Sequence, residues 1–311
     1  MRSAIGIDIG GTKVAGFLVA EDGSVLERRE RPTPAEDVPA TVETVAGLAV
    51  ELAASGAQAV GVGAAGMVDF TAGALRYAPN LAWKEIPIRD LVAGRTGLPC
   101  VVDNDANAAA WGEYRFGAAR GYRHVLVVTV GTGIGGGIVA GGELFRGAHG
   151  FAAEIGHIIV EPDGPLCGCG NRGCWEQVAS GQALDRLARA EVQRDPAGRV
   201  AALAGGGEAT GRHVSESARE GDPAAIAILA DVGRRLGEGI AGLVNVLDPE
   251  VVVVGGGVAE EGAVLLDPAR AAFLDAVEAP EHRPDVPILP AALGNDAGAI
   301  GAAALALDIG P

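Results

Sequence analysis

Three of the four cysteines in this 311-residue chain fall within eight residues, in LCGCGNRGCWE (166–176), a stretch that ends on a carboxylate. Cys167, Cys169 and Cys174 offer three soft thiolate ligands at short spacing, which suits a metal ion or redox chemistry. A disulfide would require an oxidising compartment. A second reactive stretch, VVDNDANAAAWGE (101–113), places Asp103 and Asp105 between an apolar run and a helical pattern. Either carboxylate could accept a hydroxyl proton, and Asp105 could equally cap the helix. Spacing does not choose between Asp103 and Asp105.

Three glycine clusters each follow an apolar strand-like run: GIDIGGTK (6–13), GTGIGG (131–136) and VVVVGGGV (251–258). The first fails the Walker pattern, because Thr12 precedes Lys13 and a strand, not a helix, follows. The second spells G-x-G-x-x-G but also runs into a strand, which excludes a dinucleotide fingerprint. A Gly/Thr turn presents successive N–H groups and a hydroxyl to an anion, and the chain has only two lysines, Lys13 and Lys84. Asp8 then suits Mg²⁺, which is held by one or two carboxylates, waters and phosphates.

The elements that must carry these groups follow from periodicity. Strand, turn, strand, turn and strand are expected over IGIDIGGTKVAGFLVAEDGSVLERRER, then a helix at about 38–54 and a buried strand at 59–63. A strand at 99–103 leads into a helix at about 105–117. The opening pattern then recurs at 124–145: Asp8–Thr12 laid over Thr129–Gly133 aligns both flanking strands without a gap, the mark of a structural duplication. A long helix is expected from Asp222, a natural cap followed by Pro223, to about Val246, with Ile226, Leu229, Gly233, Leu236, Ile240 and Leu243 on one face. A last helix, from about Asp296 to Leu307, is nearly all Ala and Gly.

Alternating strands and helices imply α/β architecture with mixed sheets: two duplicated domains flanking a cleft. The expected boundaries are 1–118 plus about 296–311 for a smaller N-terminal domain, and 119–295 for a larger one carrying the cysteines. With 49% hydrophobic residues and 4% aromatics, the core must be aliphatic. A formal charge of −16 argues against nucleic acid or an anionic membrane as partner. No apolar run reaches the ~18 residues of a membrane span, and the N-terminus reads as strand and turn, so a cytoplasmic place with reduced thiols is expected.

DIGGTK, the GTGIGGG hairpin and VVVVGGGV resemble the two phosphate segments and the adenosine segment of the actin-like (ribonuclease H-like) sugar kinase superfamily. EIGH (154–157) followed by CGCGNRGCWE (167–176) resembles the ROK family, closest to its glucokinases, over essentially the whole chain. ROK repressors place a helix-turn-helix ahead of DIGGTK. Asp8 stands eighth here, so a kinase is expected. The resemblance implies ATP-dependent phosphorylation of a hexose at its 6-hydroxyl, glucose first and N-acetylmannosamine, N-acetylglucosamine, fructose or allose as alternatives. A non-catalytic sugar sensor is the competing class.

The same resemblance makes Asp105 the general base and Asn104 a sugar contact, and assigns Glu154, His157 and Glu176 to sugar hydroxyls. Gly66 and Asn80 join them as lining candidates. Asp8, Gly10, Gly11, Thr12, Lys13, Thr132, Gly133, Gly255, Gly256 and Gly257 become the ATP segment residues, with Mg²⁺ as the cation. His157, ten residues before Cys167, completes a Cys₃His set of the closed tetrahedral kind that holds structural Zn²⁺. Related kinases are homo-oligomers, and closure on sugar binding is implied.

Overall fold

A computed structural model describes residues 2–78 and 83–309. Asn80 lies outside the described residues. The chain divides into two compact units, Met1–Val127 with Gly136–Ala153 and Ala291–Pro311, and Val128–Gly135 with Glu154–Pro290. The first division falls at 127/128, where 118 was expected, and Gly136–Ala153 groups with the N-terminal part.

The chain opens with β1 (Ser3–Ile9), β2 (Lys13–Ala20), β3 (Val25–Pro32), α1 (Val38–Ala53) and β4 (Val60–Ala64). A small antiparallel sheet follows, β5 (Met67–Asp69), β6 (Ala74–Ala78) and β7 (Trp83–Ile86), then α2 (Ile88–Thr96), β8 (Cys100–Asn104) and α3 (Asp105–Phe116). The main sheet of this unit runs β3-β2-β1-β4-β8, antiparallel through the hairpins and parallel at β1/β4 and β4/β8.

Strand alternation sorts the residues of this sheet onto two faces. Ile5, Ile7, Ile9, Val60, Val62, Cys100 and Val102 join Leu48 and Leu52 of α1 in one aliphatic core. Cys100 is therefore a small core residue, and burial pushes its thiol up to about 12. The opposite face carries Gly6, Asp8, Gly61 and Asp103.

The duplicated hairpin is β9 (Val125–Val130), β10 (Ile134–Ala140) and the short β11 (Glu143–Leu144). Ile9 to Lys13 and Val130 to Ile134 are the same four-residue step between paired strands, as the sequence overlay requires. The division between the units falls inside β9 and β10. The second unit continues with α4 (Glu176–Ala179), α5 (Gly181–Arg194), α6 (Arg199–Ala204), α7 (Gly211–Arg219), α8 (Pro223–Leu247), β12 (Val251–Gly255), α9 (Ala263–Ala276) and β13 (Ile288–Pro290). The second five-stranded sheet, in the order β11-β10-β9-β12-β13, repeats the pattern of the first.

Asp222 caps α8 by accepting the Ala224 N–H, and Asp248 in the left-handed region ends it. Leu229, Gly233, Leu236, Ile240 and Leu243 are buried as expected. Ile226, in the first turn, is 37% exposed, against the expectation that it faces the core. The chain returns to the first unit through α10 (Ala297–Ile309). Among the described residues no helix is long and apolar enough to cross a membrane.

Candidate active site

In the first unit, the β1–β2 turn is closed by Gly10 N–H donating to Lys13 O at 3.0 Å. Thr33 braces it from outside: its Oγ1 donates to Gly10 O at 2.7 Å and its N–H to Thr12 O at 3.0 Å. Gly11 and Thr12 are left exposed at the tip, as an anion-binding turn needs. Lys13 reaches sideways, its Nζ 2.9 Å from Glu30 Oε1 on β3. Asp8 precedes the turn, on the face of β1 that meets α10, where a Cβ on Gly298 would lie 2.7 Å from Asp8 Oδ2. Burial raises the Asp8 pKa to about 7, with the Asp105 charge adding to the shift and Lys13 opposing it. A carboxylate so disfavoured in its charged form is relieved by a cation.

The structure separates the two acids that spacing left equal. Asp103 is 2% exposed and fully committed. Its Oδ1 accepts the Asn104 N–H at 2.8 Å and Asn107 Nδ2 at 3.0 Å, and its Oδ2 accepts Arg146 Nε at 2.7 Å. Asp105 is the first residue of α3, and the cap is Asn104, whose Oδ1 accepts the N–H groups of Ala106 and Asn107. Among the described residues, the Asp105 carboxylate accepts only the Ala106 N–H, at 2.9 Å on Oδ1. Burial raises its pKa above the usual carboxylate range. It is thus the acid with an oxygen to spare and a heightened affinity for a proton. Asn104 also donates from Nδ2 to Gly66 O at 3.1 Å, which brings two of the expected sugar-lining residues together. Gly66 is held at φ +121°, and a Cβ there would lie 2.3 Å from Tyr77 O.

In the second unit, the β9–β10 turn is closed by Gly131 N–H to Gly133 O at 3.0 Å and docked on the start of α5. Gly181 N–H donates to Gly131 O at 2.8 Å and Gln182 N–H to Thr132 O at 3.1 Å. Thr132 is exposed. Gly255, Gly256 and Gly257 turn the chain after β12, and Gly256, at φ +88°, admits Val130 O at 2.5 Å from where a Cβ would stand.

The EIGH segment is a short 3₁₀ turn, Ile155–His157, preceded by an exposed Glu154. Gly156 is required there, because Ile134 O would lie 2.1 Å from its Cβ. The turn delivers His157 to the three cysteines, and one ligand atom from each of the four residues lies within 4.8 Å of the others. Cys167 Sγ is 3.7 Å from His157 Nδ1, and Cys169 Sγ is 3.6 Å from Cys174 Sγ. Tetrahedral zinc with metal–ligand bonds of about 2.0–2.3 Å has edges of about 3.5–3.8 Å, so the donor set and its spacing fit zinc. All four cysteines are free thiols. Without a cation, Cys167 is held protonated, first by burial and then by the hydrogen bond it donates to Glu176 Oε1 at 3.0 Å. The other Glu176 oxygen rests on the phosphate-type turn, 2.4 Å from where a Cβ on Gly133 would be. Glu176 therefore links the cysteine knot to that turn.

The profile of the ROK family matches residues 4–309. The chain belongs to the ROK family. Among curated ROK proteins, it is 45% identical to a glucokinase of Streptomyces coelicolor across 100% of this chain and 99% of that protein. It is 36% identical to an N-acetylmannosamine kinase of Escherichia coli, across 98% of each. Among solved structures, it superposes on a ROK glucokinase from Streptomyces griseus in complex with glucose and AMPPNP, with a TM-score of 0.90 and 46% identity over 98% of this chain and 99% of that one. The fold is accordingly the actin-like ATPase fold of ROK kinases, as the glycine-turn pattern led one to expect.

Sequence reasoning did not find three supporting residues of this ROK site. Thr33 and Gly298 act through tertiary contacts alone, and nothing local marks them. Arg146, the partner of Asp103, lies 43 positions away in a stretch with no motif.

Proposed function

We propose that this ROK protein is an ATP-dependent glucokinase that transfers the γ-phosphoryl group to the 6-hydroxyl of glucose. The observation that carries the reading is full-length similarity at 45–46% identity to glucokinases, one of them bound to glucose and an ATP analogue. When bound, ATP supplies the phosphoryl group and Mg²⁺ offsets its charge. The chain's own groups do the positioning. Asp105 accepts the 6-hydroxyl proton, and its burial-raised pKa improves it as a base while the loose transition state asks little of it. Asp8 would hold the cation. The backbone N–H groups of Gly11, Thr12, Thr132 and Gly133 take phosphate oxygens, Gly10 shapes the first turn by closing it on Lys13 O, and Gly255–Gly257 give the adenosine close approach to the backbone. Lys13, engaged with Glu30, would need to release it to reach a phosphate.

Glu154, His157 and Glu176 receive sugar hydroxyls. The bonds of Asn104 give it a capping role, from which its remaining amide hydrogen can still serve the sugar. Cys167, Cys169, Cys174 and His157 would hold zinc, which would supply no electron chemistry; with one ring nitrogen on the metal, the His157 imidazole would carry its proton on the other, the tautomer that donates to a hydroxyl. Free thiols suit a reducing cytoplasm. The test is a panel of hexoses with ATP and Mg²⁺, following ADP release and identifying the product. Glucose should give glucose 6-phosphate at the highest kcat/KM. Faster turnover of N-acetylmannosamine would replace the substrate, and no turnover of any sugar would favour a sensor.

A further inference from the structure

Among the described residues, Arg146 makes the only salt bridge to the buried Asp103. We propose that Arg146 is a positioning residue for phosphoryl transfer: by neutralising Asp103 it fixes the β8–α3 turn that carries Asp105. The inference rests on the reading of Asp105 as the base.

Asp103 binds Asn104 and Asn107 through Oδ1, so its carboxylate grips the chain on both sides of Asp105. Among the described residues, Oδ2 is spent on Arg146 Nε alone. The cation is itself held, its guanidinium carbon 3.9 Å from the centroid of the Phe70 ring. Arg146 is 22% exposed, on the wall of a cavity of about 680 Å³ that Phe70, His149 and Phe151 also line. A buried ion pair is poor value as a source of stability, since apolar or neutral groups serve as well. Its worth here is directional: two oxygens of one planar group aimed at three donors set the turn's orientation. A buried carboxylate that loses its cation must protonate, draw in water or move. Any of these shifts the turn, and a displacement of about 1 Å at a reacting group costs about 100-fold in rate.

The experiment compares Arg146→Met, Arg146→Lys and the double variant Asp103→Asn/Arg146→Met with wild type for kcat, both KM values and Tm. Arg146→Met should lose about 100-fold in kcat well below its Tm, with KM for ATP within about twofold. Arg146→Lys should recover part of the loss. The double variant should recover at least about tenfold over Arg146→Met, because asparagine keeps an oxygen for Asn104 and Asn107 and leaves no charge buried. Wild-type kcat in Arg146→Met, or a double variant no faster than it, overturns the proposal. Should Arg146→Met not fold, the double variant decides alone: a kcat within about tenfold of wild type supports the inference, and a loss of about 100-fold overturns it. Failure of the underlying reading would look different, as wild-type turnover in Asp105→Asn.

Discussion

Asp103 and Asp105 stand two positions apart and meet opposite environments. Asp103 is fully engaged with hydrogen bonds and a cation, while Asp105 is half-buried with one oxygen unspent. Replacing Asp105 with Asn should lower kcat by about 10²–10⁴-fold. It should leave Tm unchanged or raise it, because the change removes a carboxylate that folding disfavours; calorimetry beside turnover checks both. Asp8 makes a pH prediction. Its pKa rises from 3.8 in the open chain to about 7 in the fold. Between these values the folded state holds a proton that the unfolded chain has released. Stability therefore falls as pH rises through this window, by up to about 1.4 kcal/mol per pH unit, and levels off above the folded pKa. In Mg²⁺-free buffer, the Tm of wild type minus that of Asp8→Asn should decline from pH 5 to about 7 and then stay flat. Added Mg²⁺ should raise the wild-type Tm more at about pH 8 than at about pH 6, where the proton competes with it. The residue types at these sites were legible in the sequence, since DIGGTK, NDANA and the cysteine spacing name their own chemistry. Which aspartate was committed was not, because the deciding partner, Arg146, is brought in by the fold.

Between elements, the helix α3 that begins with Asp105 is seated on α10 through glycines. A Cβ on Gly301 would lie 1.7 Å from Ala108 O, and one on Gly112 2.9 Å from Ala297 O. Gly301→Ala should thus force the helices apart, costing about 1–3 kcal/mol or more and lowering kcat through displacement of Asp105 and Asp8. Gly47→Ala is the control: it sits inside α1 with open space around its Cβ, and should stabilise by about 0.5–1 kcal/mol without touching kcat. Chemical melts and steady-state rates of both variants make the comparison. For the knot, purified protein should carry about one zinc per chain, and Cys174→Ser should lose it and melt lower. The same seam logic explains what the sequence concealed. Pro268 reads as a helix stop, yet it lies inside α9. That helix packs closely on α8, where a Cβ on Gly233 would lie 2.2 Å from Leu265 O and one on Gly237 2.0 Å from Ala269 O. The strands β5–β7 are three to five residues long, too short for alternation to declare them.

At the scale of the whole chain, the first unit cannot be completed by its own N-terminal sequence. Its sheet leaves Gly6 and Gly61 without side chains on one face, and a Cβ on either would stand 1.8 Å from a backbone oxygen of α10, Ala299 O and Ala302 O. The last element of the protein therefore fills the floor beneath the first. α10 is apolar all round, with Ala297 and every residue from Ala299 to Leu307 buried, the composition of a helix that has no solvent face. Its Ala/Gly spelling, visible in the sequence as a helix, is a requirement of this close approach; only the destination was hidden. Ending the chain after Leu293 should expose the β1–β4 face and the α3 seam together. The expected product retains zinc and a protease-resistant fragment within residues 154–290, while residues 1–127 are cut rapidly and phosphorylation is lost. Limited proteolysis with mass spectrometry, and zinc content of the resistant fragment, read both halves of the claim. A truncated chain whose N-terminal unit resists protease as the full chain does would show that the sheet closes without its helix, and that the glycines of β1 and β4 answer to something else.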